Sequence, residues 1–567
     1  MMRAKLSKAM SLVLALLMVC TCLTPAAFAA DGTGVAETSS RRTMQEWNEI
    51  LNTSDYKTYL ERHADKKQAS STVTIDATAY DADATTDREA EVLYDVNADG
   101  EHSLYTSDSG KVTWKFTVRE AGLYSVRLVC YPGNAKRGDN AEKSTDIERI
   151  LYVNGKVPFS EARSITITKK WAPQYEANGG FQEDLAGNDL RPHNLSAIEW
   201  IDYTVKDSTG YYTDPLLFYF AAGENTITLE ASREPMSIKQ IILEPEKEIP
   251  TYEEYKAAYT YKQGTDAPIK IEAERPVYQS DESIYPLTDR TSAITSPQDP
   301  TVQRLNYMGG NGNMKTVGQW GEYNFEVATE GFYSIAIRSK QNDLSGMFTS
   351  RTLYLDGEVP FKECYSLRFD YTKDWQCKSL TDGATEFEFY LTPGTHTLRL
   401  EVGLGDFADI IRQVETSLDN INDCYMNIMK LTGASPDEYR DYGFSRLMPN
   451  TIKTMLIESK NLYTVSNLIT ELCGEKGSQT ATLDKVAFLL KRMGGDEDEI
   501  APNLKNLKTY IGTLGTWLNT VRSQPLRLDY ILIQPKDNAM PKAHASFGAA
   551  VWFVLRSFLA SFTTDYS

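Results

Sequence analysis

The sequence predicts a mainly β protein with a helical domain: two β-sandwich (jelly-roll) domains, the second interrupted by an α-helical bundle insertion. Three observations predict it. One structural unit occurs twice: Arg149-Ile-Leu-Tyr-Val-Asn-Gly-Lys-Val-Pro-Phe159 returns as Arg351-Thr-Leu-Tyr-Leu-Asp-Gly-Glu-Val-Pro-Phe361, with seven of eleven positions identical. A repeat sets the architecture before any single element does. Both copies consist of short alternating apolar and polar stretches divided by glycine turns, the pattern of sandwich strands. A long stretch with helical periodicity then separates the second copy from its closing strand.

Composition agrees. The chain has 567 residues, 41% of them hydrophobic, and 33 tyrosines. That is enough for several domains and too apolar for a disordered chain. Only five histidines lower the odds of a zinc site or a Ser-His pair. The formal charge of −19 disfavours nucleic acid and anionic lipid as partners.

Residues 1–29 read as a secretory signal peptide. Arg3, Lys5 and Lys8 form the charged start, Met10 to Cys22 the apolar stretch, and Ala27-Phe28-Ala29 a small-x-small cleavage site. The apolar run is short for a membrane span. Cys20 and Cys22 follow Val19 and Thr21, larger residues than usually precede a lipid-modified cysteine. The reading is therefore a secreted or cell-surface protein, cleaved near Ala29. Five cysteines remain, too few and too widely spaced for a disulfide framework. Cys364 and Cys377 stay open as a pair or as buried thiols.

A helical segment over 42–66 and a helical linker over 248–266 each carry tyrosines at i and i+3, Tyr56 and Tyr59 in one, Tyr252 and Tyr255 in the other. That spacing predicts one aromatic helix face packed on the domain that follows. The first sandwich spans 73–247. It opens on Val73–Ala77, turns at Asn154-Gly155 and closes on Met236–Pro245. The second opens on Ile269–Ala273 and turns at Asp356-Gly357. Both dipeptides suit a type I′ turn. Its closing strand, Leu526–Pro535, lies far downstream, so the second sandwich is 267–404 plus 523–536, with 405–522 inserted. Within the insertion Phe407, Ile410, Ile411, Val414, Leu418 and Ile421 recur at helical spacing. Ser435-Pro-Asp-Glu438 predicts a capped helix start, and Gly494-Gly495 a helix end. Residues 540–567 carry an apolar helix that would pack on the insertion, lie on a membrane surface or lead into a further domain.

The order Ile271-Glu-Ala-Glu274, Gly309-Gly-Asn311, Gly318-Gln-Trp-Gly-Glu-Tyr323, Asp374-Trp-Gln376, Pro393–Leu400 and Leu528–Ile531 resembles carbohydrate-binding modules of families six and thirty-five, secreted jelly rolls that bind glycans. The likeness covers the second sandwich without its insertion. It implies a structural Ca2+ held by Glu272, Glu274 and Asp529. A hard cation needs several converging oxygens, and Glu272 and Glu274 share one strand face. The first copy has Asp76, Thr78 and Lys239 at those places, so calcium is expected in the second only. The resemblance also implies a glycan platform at Trp375, bordered by Tyr307 and Asn311; a Trp375 that caps the core is the alternative that stays open. Trp200 is the nearest counterpart in the first copy. Pyranose rings present apolar faces that flat aromatics cover, which suits these residue types. Trp320 and Trp114 read as core.

No nucleophile elbow, phosphate loop, zinc motif or Cys-x-x-Cys occurs, so no enzyme is expected. The domain order also resembles the amino-terminal half of large extracellular solute-binding proteins of ABC transporters. The expected function is thus a secreted, non-catalytic carbohydrate-binding protein of such a system, cut short of a domain that would meet the permease. A structural or adhesive surface protein and an accessory part of a glycoside hydrolase remain open.

Overall fold

Antiparallel ladders build both copies in the computed structural model of the protein, which describes residues 53–136 and 145–562. The leader with Arg3, Lys5, Lys8, Cys20 and Cys22, and residues 42–52 of the first helical segment, lie outside the described residues.

In the first copy, strand Met236–Glu244 sits between Val73–Asp76 and Gly122–Tyr131. In the second, Arg527–Gln534 sits between Ile269–Glu272 and Gly331–Lys340. The strand after the insertion therefore completes the second sandwich as its counterpart completes the first. Each sandwich buries its own apolar cluster, and alternation along the strands selects the members. Equivalent aromatics anchor the first strands. Trp114 Nε1 donates to the Ala77 carbonyl at 2.8 Å, and Tyr323 Oη donates to the Ala273 carbonyl at 2.9 Å. At both predicted turns the two central residues have positive φ, 49° and 76° for Asn154 and Gly155, 52° and 83° for Asp356 and Gly357. These are the conformations a type I′ turn demands.

The tyrosine pairs do more than pack. Helix α1 (Tyr56–Arg62) and helix α2 (Tyr252–Ala257) lie against sheet-edge strands. Tyr56 and Tyr59 hydroxyls accept the backbone N–H groups of Leu217 and Tyr219, both at 2.8 Å. Tyr252 and Tyr255 accept those of Glu388 and Tyr390, both at 3.0 Å. Side chains at i and i+3 thus meet alternate residues of one strand and satisfy its otherwise unpaired donors.

The insertion is a bundle of four long helices, α3 (Phe407–Thr432), α5 (Pro449–Cys473), α6 (Ser478–Gly495) and α7 (Ile500–Arg522), with a short α4 (Phe444–Leu447). It has its own apolar core. Its entry and exit meet near Ser350. Gly405 has φ 52°, and a Cβ there would come within 2.5 Å of the Ser350 hydroxyl. At the exit, Ser350 N–H donates to Gln524 Oε1 at 3.0 Å, and the buried Arg351 donates to the Gln524 carbonyl at 2.9 Å. One expectation fails here: no helix starts at Ser435–Glu438. The Asp437 carboxylate instead accepts the Tyr439 N–H at 3.0 Å in a local turn, and Gly443 in the left-handed region breaks the chain direction. Pro449 takes the first-turn position of the next long helix.

The two sandwiches are joined by more than the linker. Strands Trp171–Pro173 and Asn194–Ser196, from a long excursion of the first copy, extend a sheet of the second through the pair Gln279–Trp171. Asn194 and Tyr175 also donate to the Glu282 and Pro276 carbonyls, at 2.6 and 2.9 Å. Farther along, Tyr212 Oη accepts from Arg412 of the bundle at 2.6 Å. Helix α8 (Phe547–Ser561) presents Phe547, Trp552, Val554 and Phe558 to solvent. Among the described residues no helix is long and apolar enough to cross a membrane. Cys364 and Cys377 are both free thiols.

Candidate functional site

The three expected cation ligands lie along the edge formed by the first and last strands of the second sandwich. Ala273, between the two glutamates, donates its N–H to the Asp529 carbonyl at 2.9 Å. Glu274 and Asp529 are buried and Glu272 is half-buried. Both carboxylate oxygens of Glu274, Oε2 of Glu272 and Oδ1 of Asp529 are buried without a hydrogen-bond partner. Orphaned buried acceptors of this kind are costly. Burial, with Glu272 nearby, holds the Glu274 carboxyl well above the usual carboxylate range. Burial likewise raises Asp529 to about 6, against the pull of Arg338.

The donor chemistry fits a hard cation: all ligands are carboxylate oxygens with free lone pairs. The spacing is looser than a closed metal cage. Among the described residues no three Asp, Glu, His or Cys side chains are already drawn around one position. A residue absent from the sequence reading, Arg338, takes the other oxygen of Asp529. Arg338 is itself buried and also donates to Thr295 Oγ1 at 2.8 Å and to the Ala543 carbonyl at 3.0 Å. In the first copy Lys239 replaces the aspartate and pairs with Asp99 at 2.6 Å and Glu101 at 3.2 Å, a closed ion cluster.

The expected glycan platform is differently placed. Trp375 and Tyr307 do meet, as an edge-on pair 6.1 Å apart, but they are only 3% and 8% exposed. Trp375 Nε1 donates to Asp289 Oδ2 at 2.8 Å, and the Arg338 guanidinium lies 4.8 Å from its ring centre. Hydrogen bonds from Thr291 and Trp375 keep the Asp289 carboxyl low despite its burial. With its N–H tied down and its ring under a guanidinium, Trp375 caps the core and offers no open face. Of the two readings the sequence leaves open for Trp375, its burial favours the core cap. Asn311 is exposed, and its side chain accepts from Lys315 at 3.1 Å. Trp200 is half-buried, with Nε1 on the Val96 carbonyl at 2.9 Å and Lys239 above its ring at 4.3 Å.

Trp320 is buried, only 5% exposed, as the sequence suggests, but it lies on the outer face of its sheet. The inward residues of strand Trp320–Val327 are Tyr323, Phe325 and Val327, so alternation turns Trp320 outward. There the Arg399 guanidinium covers it at 4.0 Å. The signal for this was present in the period-two pattern of Gly321-Glu-Tyr-Asn-Phe.

Among solved structures, several carbohydrate-active proteins show a limited likeness. A Podospora anserina β-(1,4)-mannanase with a family 35 carbohydrate-binding module matches at 15% identity, over 32% of this chain and 29% of that one, TM-score 0.19. A family 35 carbohydrate-binding module from Clostridium thermocellum matches at 11% identity, over 31% and 98%, TM-score 0.19. The family 6 module of a Zobellia galactanivorans laminarinase matches at 11% identity, over 31% and 99%, TM-score 0.15. Likenesses this distant carry no argument about a ligand. No curated protein matches the sequence. Residues 409–521, the body of the bundle, match the family model for the bacterial solute-binding protein, 4-helix bundle domain, so the insertion is similar to a domain of bacterial solute-binding proteins.

Proposed function

We propose that the protein is a secreted, non-catalytic carbohydrate-binding protein, the glycan-capturing part of a solute-binding system that serves an ABC-transporter permease. The observation that supports this most is the setting of the bundle. A helical domain similar to that of bacterial solute-binding proteins is seated within a sandwich, between its last two strands. The order of motifs in that sandwich, which resembles glycan-binding modules, adds to it.

We also propose Ca2+ as a structural ion in the second sandwich, held by Glu272, Glu274 and Asp529. Bound calcium would meet the carboxylate oxygens that Lys270, Arg275 and Arg338 leave without a hydrogen bond. The residues themselves hold the first and last strands together through the Ala273–Asp529 backbone bond, and Arg338 fixes the orientation of Asp529.

The test is a glycan array probed with the full chain, in calcium and after chelation. The full chain is required because a sheet of the second sandwich is extended by strands of the first. Capture of defined glycans that weakens on chelation is the expected result. An array that captures nothing in either buffer sinks the carbohydrate reading, and calcium-independent capture sinks the structural ion.

A further inference from the structure

A cleft of about 680 Å³ opens between the two sandwiches, away from both the acidic edge and Trp375. Its size is within the range of small-molecule sites, ~300–1,000 Å³. One wall comes from the first sandwich, chiefly Tyr203, Lys206 and the loop to Thr213. The floor is the outward face of the second sandwich's sheet.

That floor is ordered in two rungs. Glu401 pairs across the sheet with Trp320 on one side and Thr352 on the other. Arg399 pairs with Glu322 and Tyr354 in the same way. All six side chains project outward, because Leu398, Leu400 and Val402 between them point into the core. The matching rungs of the first sandwich are Lys111–Glu230–Ile150 and Thr113–Thr228–Tyr152. The tyrosine and one glutamate recur in both copies. The tryptophan and the Glu322–Arg399 pair belong to the second copy alone, on the face that meets the cleft.

The bases on this surface are already paired, Lys170 with Glu199 among them. Lys206 reaches across to Glu401 at 2.7 Å, Arg399 holds Glu322 at 2.6 Å, and Arg127 reaches Asp202 at 3.3 Å. The Asp207 carboxylate is filled by the Thr209 hydroxyl and the N–H groups of Thr209 and Tyr211. An anionic ligand would find no free base in the lining, and five acids against three bases disfavour it further. What remains is the half-buried rings of Tyr203 and Tyr354 beside ion pairs. The walls are also fixed in place, by the shared strands at Trp171 and by the Tyr212–Arg412 contact, so the cleft exists before any ligand arrives.

We infer that this inter-sandwich cleft binds a short neutral oligosaccharide, its ring faces on Tyr354 and Tyr203 and its hydroxyls on the Lys206–Glu401 pair and on Arg399. The inference rests on the carbohydrate-binding reading above and places the sugar where that reading, taken from the sequence, did not.

The experiment is isothermal titration of the full chain with mannotetraose, β-1,3-galactotriose and cellotetraose, and with trigalacturonic acid as the anionic arm. It is repeated on Tyr354→Ala and on Thr213→Trp, which fills the cleft from an exposed position and is expected to spare the fold. Circular dichroism checks each variant. The expected result is binding of at least one neutral oligosaccharide, weakened at least about tenfold in both variants. Neutral binding lost in Asn311→Ala but untouched by both cleft variants overturns the cleft and leaves the carbohydrate reading standing. Binding of the uronic acid alone overturns the neutral assignment. No binding by the unaltered chain removes the reading and the cleft together.

Discussion

Ala273 donates its backbone N–H to the carbonyl of Asp529 at 2.9 Å, across an insertion of more than a hundred residues. Ala77 makes the same bond to the Lys239 carbonyl in the first sandwich, also at 2.9 Å, with no insertion between. The second sandwich therefore depends on a strand made after the bundle. Truncation at Arg522 is expected to remove cooperative unfolding of that sandwich. Replacement of Phe407–Arg522 by a short Gly-Ser linker is expected to keep it, because both junctions meet at Ser350. Near-UV circular dichroism with thermal melting distinguishes the two. An equally folded truncation would contradict the topology.

The tyrosine hydroxyls on the linker helix are expected to matter as hydrogen-bond acceptors. Tyr255→Phe keeps the ring stack but leaves the Tyr390 N–H without its partner at 3.0 Å. A loss of about 1–3 kcal/mol is expected in denaturant unfolding. No change would mean that water replaces the hydroxyl at once.

Removing the Trp375 ring is expected to act on stability before it acts on any ligand. The side chain is buried and bonded to Asp289. Trp375→Ala should cost roughly 3–5 kcal/mol, the usual range for a buried aromatic. A variant of unaltered stability would restore the exposed-platform reading.

The acidic edge predicts an unusual pH response. Burial raises Glu274 well above its ordinary 4.5 and Asp529 from 3.8 to about 6. Between the ordinary and the raised values the folded chain binds more protons than the unfolded one. Stability from these groups therefore falls as pH rises through that window. In chelator, the melting temperature is expected to be higher near pH 5 than near pH 7. Added calcium should raise it more at pH 7, where the carboxylates are free to bind. Glu274→Gln should flatten both responses. A calcium-free melting temperature that climbs from pH 5 to pH 7 to the same extent in that variant would contradict this account of the edge.

Much of the fold was legible because local rules and the repeat pointed the same way. Asn154-Gly155 and Asp356-Gly357 announced their turns, and the likeness of Leu526–Pro535 to Met236–Pro245 revealed the interruption. What stayed hidden depends on contacts between distant segments. The single pairing of Gln279 with Trp171 leaves no periodic signature, yet it joins the sandwiches. Trp375 sits in a loop-like stretch, and only Asp289 and Arg338, brought from elsewhere, decide that it is buried. Trp320 is buried, as a tryptophan in a strand suggests, but alternation with Tyr323 and Phe325 puts it on the outer face, where Arg399 from a neighbouring strand covers it.

The measurement that bears most directly on the central claim is saturable binding of a neutral oligosaccharide to the full chain in calcium. The account predicts binding that Tyr354→Ala weakens. A chain that is folded, loaded with calcium and indifferent to every neutral oligosaccharide offered would contradict it.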